Sequence, residues 1–158
     1  MSSKIYVVEE PEVIQQLLTQ FRVLHLAFSQ SNFPYVVPFD FGFSYEKDVL
    51  LFYLHVRKRG RVFHLLRSLG TAGFELDGPF RIVGKEENPL YFQSYYASII
   101  GGGTLHELTD IDEKRQALNK IIQHTTGNQA FLLQNLQIEE SDLFVLKATE
   151  FSCRLRKR

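Results

Sequence analysis

The sequence predicts a mainly β protein, a β-barrel with a few flanking helices. Three observations point there. Six or so short apolar runs are separated by polar or glycine-containing turns. Aromatic residues make up 13% of the 158-residue chain, fourteen Phe and seven Tyr, and such rings pack well on a pleated, half-buried surface. Closing these strands into a barrel would also remove the exposed edges that an open sheet leaves.

Each element follows from its own pattern. Residues 11–21 read as a helix, because Pro11 suits the first helical position and Val13, Ile14, Leu17, Leu18 and Phe21 form one apolar stripe. Residues 23–28 read as a strand ending in the polar turn at 29–32. A second strand covers YVVPFDFGF (35–43). Its Pro38 cannot donate a ladder bond, which implies an edge, a bulge or a stretch of backbone facing something else. Residues 44–48 form a hairpin loop, and VLLFYLHV (49–56) is apolar enough for a buried barrel strand.

The segment 60–69 places Val62, Leu65, Leu66 and Leu69 at helical spacing, with Gly70 where a left-handed C-terminal cap belongs. Strands are expected at 71–76 and 80–83, either side of the Asp77-Gly78-Pro79 turn, with a polar loop at 84–89. Residues 91–106 are strand-like, and Gly101, Gly102 and Gly103 within them indicate a bulge or sharp bend. The clearest helix starts at Asp110, with Glu113 three residues on in a capping-box arrangement, and stops at Gly127. A weaker helical segment covers 128–136. A final strand at 142–151 precedes a basic tail, 154–158, expected to be frayed and solvated.

Length and composition bound the function. The chain suits one domain, 1–158, with a sizeable core. Eighteen basic residues balance eighteen acidic ones, which disfavours a general nucleic-acid binder. The single cysteine, Cys153, permits neither an intramolecular disulfide nor a cysteine-based zinc cage. The first ten residues lack a signal-peptide core and no apolar run approaches a membrane span, so a soluble, cytoplasmic protein is expected, with no membrane partner.

Few segments carry chemistry. The basic turn Arg57-Lys58-Arg59-Gly60-Arg61 links a strand to a helix. Free N–H groups, a glycine that allows close approach and arginine forks would suit a phosphate there. The same run also reads as a solvated turn, and a nucleic-acid patch is the third reading. The triple glycine lacks the Gly-Lys-Ser/Thr ending of a P-loop. Of the five histidines, none forms a metal-binding pair at short spacing, so no metal is expected. His25 reads as a satisfied structural residue, and His124 as a cap on helix carbonyls. His55, beside the basic turn, is the one with a local case for touching an anion.

Four runs taken in order carry a family resemblance. PYVVPFDFGF, LLFYLHVRKRGRVFHLLRS, AGFEL and SYYASIIGGGTLHELTDIDEKRQALNKIIQHTTG together resemble the pyridoxamine 5′-phosphate oxidase-related flavoproteins, in particular the branch associated with nitroimidazole resistance. The resemblance implies a six-stranded split barrel and a homodimer with FMN at the subunit interface. It places Val37, Pro38, Phe39 and Asp40 along the flavin ring, largely through backbone groups. It assigns the phosphate to His55, Val56, Arg57, Gly60 and Arg61, and adds Tyr96 and Ser98, the latter as a phosphate or ribityl contact. Val56 and Val62 stand where the family carries a small polar residue and a lysine, so two donors are absent. The resemblance implies an oxidoreductase acting on a small molecule such as a nitroaromatic or quinone; the alternative is a non-catalytic flavin- or haem-binding module. No catalytic acid or base is assigned.

Overall fold

The computed structural model describes residues 4–30, 32–85, 88–128 and 132–157. In chain order the elements are β1 (Lys4–Val8), α1 (Pro11–Leu18), β2 (Leu24–Phe28), β3 (Tyr35–Phe39), β4 (Gly42–Glu46), β5 (Val49–Val56), α2 (Arg61–Leu69), β6 (Thr71–Lys85), β7 (Asn88–Leu108), α3 (Ile111–Thr126), α4 (Asn135–Glu139) and β8 (Asp142–Lys157). All described strands join one antiparallel sheet in the order β3-β2-β6-β7-β8-β5-β4, and β1 pairs with β8 off that path.

The order explains the shape. β3 and β4 end the path on opposite sides, yet only Asp40 and Phe41 separate them in sequence. The sheet therefore curls until its ends meet. It closes around Leu24, Leu26 and Phe28 of β2, Leu50, Phe52 and Leu54 of β5, Phe74 and Leu76 of β6, and Phe144 and Leu146 of β8, all in one buried cluster. Alternate residues of each strand supply this core, as the two-residue period of a strand requires. No ladder joins β3 to β4, so the barrel is split between them. A smaller cluster of Leu108, Ala117, Leu118, Ile138 and Leu143 seats α3 and α4 on the outside.

Several boundaries differ from the sequence reading, each for a physical reason. The barrel has eight described strands rather than six. The strand expected over 35–43 breaks at Asp40 and Phe41, because its halves serve opposite ends of the sheet. The strands expected at 71–76 and 80–83 are one strand, β6, whose register slips against β7 between Gly78 and Arg81. Most of the polar loop expected at 84–89 is also paired: Lys85 lies opposite Asn88, and residues 86 and 87 fall outside the described residues. Strand pairing needs only backbone groups, so the polar composition of this run hides it. β7 correspondingly starts before residue 91.

The triple glycine lies opposite a bulge, which sits on the partner strand β8. Gly102 faces Glu150 and Gly103 faces Ala148, leaving Thr149 as the extra residue on β8. Side chains would not fit there, since a Cβ on Gly101 or Gly103 would run into the β8 backbone.

The first helix stops at Leu18 rather than residue 21, and the weak helix is the short α4, Asn135–Glu139, while 129–131 lie outside the described residues. The strongest correction is the basic tail. β8 continues to Lys157 and is clamped on both sides, with Leu155 opposite Ala97 of β7 and Tyr6 of β1. β1, with only Val8 buried, carried too weak a pattern to be expected. The helix caps follow the sequence: Asp110 accepts from the backbone N–H groups of Asp112 and Glu113, each at 3.0 Å, and Gly70 and Gly127 close α2 and α3 in the left-handed conformation.

Candidate functional site

A cleft of about 410 Å³ lies beside the link that joins the two end strands. Pro38, Phe39 and Asp40 form one wall, His55 of β5 another, and Ile121, Ile122, Thr125 and Thr126 of α3 the third. The β4–β5 register explains the meeting. Gly42 pairs with Tyr53, and continuing that register by two residues brings Asp40 to His55. His55 alternates with the buried Leu54 and Val56, so its ring points outward. Gly42 lets α3 close over the link, since a Cβ there would run into the helix backbone at Lys120 and Ile121.

β3 is the exposed wall. It pairs with β2 on one side only, Pro38 opposite His25 and Val37 opposite Leu26. Among the described residues no strand pairs with its other edge, and Pro38 is tolerated on a strand of this kind. That edge runs from Asp40, beside His55, back to Tyr35, where the guanidinium of Arg61 lies 4.0 Å from the ring centroid. Arg61 also donates to Oε1 of Gln30 from Nη2 at 2.9 Å and from Nε at 3.3 Å. The basic turn therefore leaves β5 just after His55, and the Arg61 side chain at its far end reaches Tyr35 at the start of β3. Arg57, Lys58 and Arg59 are exposed, and among the described residues their side chains form no ion pair or hydrogen bond. Gly60, at φ 108°, begins α2 with open space where a side chain would be.

The other expected site residues lie elsewhere. Val56 turns into the barrel core at 8% exposure and Val62 packs against that core, so neither side chain faces the cleft. Tyr96 and Ser98 stand on β7. Register carries the outer face from Pro38 through His25 and Glu75 to Ile100, with Ser98 two residues along the same face. That is three strand spacings from β3, roughly 14 Å. Within one chain they do not join the cleft. Arg154 lies opposite Ser98 and Arg156 opposite Tyr96, so β8 adds two cations beside them. Sequence reading missed these by taking them for a frayed end. The available signal was alternation: Cys153 and Leu155 inward, Arg154 and Arg156 outward.

Among the histidines, Nδ1 of His25 meets Oε2 of Glu75 at 3.2 Å, a structural pairing on the outer face. Burial, and then the charge of Asp77, hold the Glu75 carboxyl above its ordinary range, and His25 offsets part of this. Nε2 of His124 is buried with no partner among the described residues, so it does not cap α3. Instead its ring packs on Phe41 and Phe43, with centroids 4.3 and 5.2 Å away. Burial pushes the Cys153 thiol up to about 11, so it offers no ready nucleophile. No cluster of three or more metal-ligating side chains occurs among the described residues. No described helix is long and apolar enough to cross a membrane.

A rolled antiparallel sheet, split between its two end strands and flanked by helices, defines the class of split-barrel proteins. The chain belongs to the pyridoxamine 5′-phosphate oxidase family, whose profile matches residues 10–154. Solved structures of similar fold include a Bacteroides thetaiotaomicron protein named for 5-nitroimidazole antibiotic resistance. It is 22% identical, with 99% of this chain and 90% of that one covered and a TM-score of 0.78. The flavocytochrome Anf3 of Azotobacter vinelandii is 19% identical over 96% of this chain and 70% of its own, at a TM-score of 0.71. An FAD-binding protein of Mesorhizobium loti is 17% identical over 99% and 100%, at 0.65. No curated protein sequence matches the chain.

Proposed function

We propose that the protein is a homodimeric flavoprotein that binds FMN and acts as an oxidoreductase on a small molecule such as a nitroaromatic or quinone. The observation that carries this reading is that Pro38, Phe39 and Asp40 at the end of β3 share one cleft with His55, while Arg57, Lys58 and Arg59 follow His55 closely in sequence with their side chains exposed. These residues fit the parts of a flavin nucleotide. Backbone N–H and C=O groups of residues 37–40 match the polar rim of a flat heterocycle. Arg57, Lys58 and Arg59, with Gly60 at the start of α2, match a phosphate. Names of similar structures, a flavocytochrome and an FAD-binding protein, support the same class of cofactor.

A bound flavin would supply the electron transfer. The chain's own part is to hold and enclose it: β3 orients the ring, the basic turn neutralises the phosphate, and Ile121 and Ile122 exclude water from one side. The homodimer reading rests on the separation of Ser98 from the cleft, since a second copy is the simplest way to bring Tyr96, Ser98 and Arg154 to it.

Absorption spectra of the purified protein test the reading, followed by titration of the colourless form with FMN and, separately, FAD. Saturable FMN binding with quenched flavin fluorescence is the expected result. Preference for FAD would correct the nucleotide, and a Soret band after haem addition without flavin uptake would favour the haem-binding module. Failure to take up either flavin would sink the proposal. Oxidation of a reduced nicotinamide with a nitroaromatic or quinone acceptor then separates enzyme from module.

A further inference from the structure

A second cavity, about 390 Å³, lies on another side of α3. Ile121, Ile122, Thr125 and Thr126 face the cleft, while Lys120, Gln123 and His124 face this cavity, and no residue lines both. Four consecutive residues of β4, 43–46, form its opposite wall. A strand turns alternate side chains to one face, so a run of neighbours lines a cavity only along the strand's edge. β4 pairs with β5 alone. The cavity therefore follows an edge of β4 that no strand pairs with among the described residues.

Its charges are few and unspent. Arg22 donates from Nη1 to the carbonyl oxygen of His124 at 3.1 Å, which fixes the guanidinium at the end of α3 and leaves the rest of its fork available. Lys120 is exposed and forms no ion pair or hydrogen bond among the described residues. Among the described residues lining the wall, Glu46 is the only carboxylate, and it pairs with neither. The His124 ring, whose Nε2 is sealed against the phenylalanines, is held toward its neutral form by burial and then by Arg22. Two cations thus face one anion. Beside them, Phe43 meets the His124 ring edge-on, giving an aromatic surface.

We propose that this cavity is a second ligand site, for a small aromatic carboxylate whose ring lies on Phe43 and His124 and whose carboxylate is held by Arg22 and Lys120. The volume lies in the range of small-molecule sites, and an arginine fork beside an ammonium suits a carboxylate better than a neutral group. The site stands apart from the flavin reading, since it uses none of the cleft's residues.

Benzoate titration of the full chain, followed by NMR of the histidine ring nitrogens, tests it. A saturable shift at His124 is expected, unchanged when FMN is present. Lys120→Met and Arg22→Met should each weaken benzoate binding about tenfold or more. Arg22→Met also removes the bond to α3, so Lys120→Met, on the exposed helix surface, keeps the test valid if the first variant unfolds. Benzyl alcohol should produce no saturable shift. Absence of a benzoate shift, equal binding of benzyl alcohol, displacement of benzoate by FMN, or unweakened binding to Lys120→Met would each overturn the proposal.

Discussion

Arg61 shows how one side chain can be structural and still stand ready for a ligand. Stacked on Tyr35 and bonded to Gln30, it pins the start of β3 while keeping further N–H donors at the mouth of the basic turn. Replacement by alanine is expected to weaken FMN binding by about 1.5–3 kcal/mol if it bonds the phosphate, read by fluorescence titration. An unchanged affinity would leave Arg61 as a clamp on β3 only. His124 makes a different prediction. Burial and Arg22 hold its folded pKa below the ordinary 6.5, so the unfolded chain binds the extra proton first. Above 6.5 the residue takes nothing from stability; as pH falls below that value, stability is lost progressively. Urea midpoints should decline on acidification for this reason, and His124→Phe, which keeps a ring against Phe41, should flatten that part of the slope.

At the scale of elements, α3 matters most, because both cavities lean on it. Its N-terminus depends on Asp110, which satisfies two backbone donors at once. Asp110→Ala is expected to cost about 1 kcal/mol of stability, measured by urea denaturation, with a small effect on flavin affinity if the rest of the helix stays seated on Leu108 and Leu143. Helices of this chain were legible because caps and stripes are local signals. Strand ends were less so. β6 read as two strands and β7 as starting at residue 91, because the Asp77-Gly78-Pro79 signal and the polar run at 84–89 look like loops, and the end of β8 looked like a loose tail because basic residues dominate the run. Only the neighbours decide such cases: Leu155 is held between Ala97 and Tyr6, and the arginines follow it into the sheet.

For the whole molecule, the split between β3 and β4 places an unpaired strand edge beside a cleft. Barrels usually remove such edges, and this one keeps it where a ligand can use it. A ligand bound only by the folded state should raise its stability by about 2.7 kcal/mol at a hundred times its dissociation constant. Thermal unfolding with excess FMN is therefore expected to shift upward, and the shift should shrink in a variant carrying Arg57→Ala and Lys58→Ala together. Light scattering on the flavin-loaded protein is expected to give twice the chain mass; a single-chain mass with full flavin occupancy would refute the shared interface.

By itself the sequence determined the β class, the helix caps, the bulge beside the triple glycine and the order of segments that marks the family, since each is written in neighbouring residues or short periods. It also brought Pro38, Asp40 and His55 into one hypothesis. Tertiary structure decided what the long-range pairings decide: that β3 and β4 end opposite sides of one sheet, that Val56 faces the core, that Ser98 stands three strands from the cleft, and that the basic tail is a paired strand beside it. A strand's neighbours come from distant parts of the chain, and hydrogen bonds between them leave no mark on local sequence.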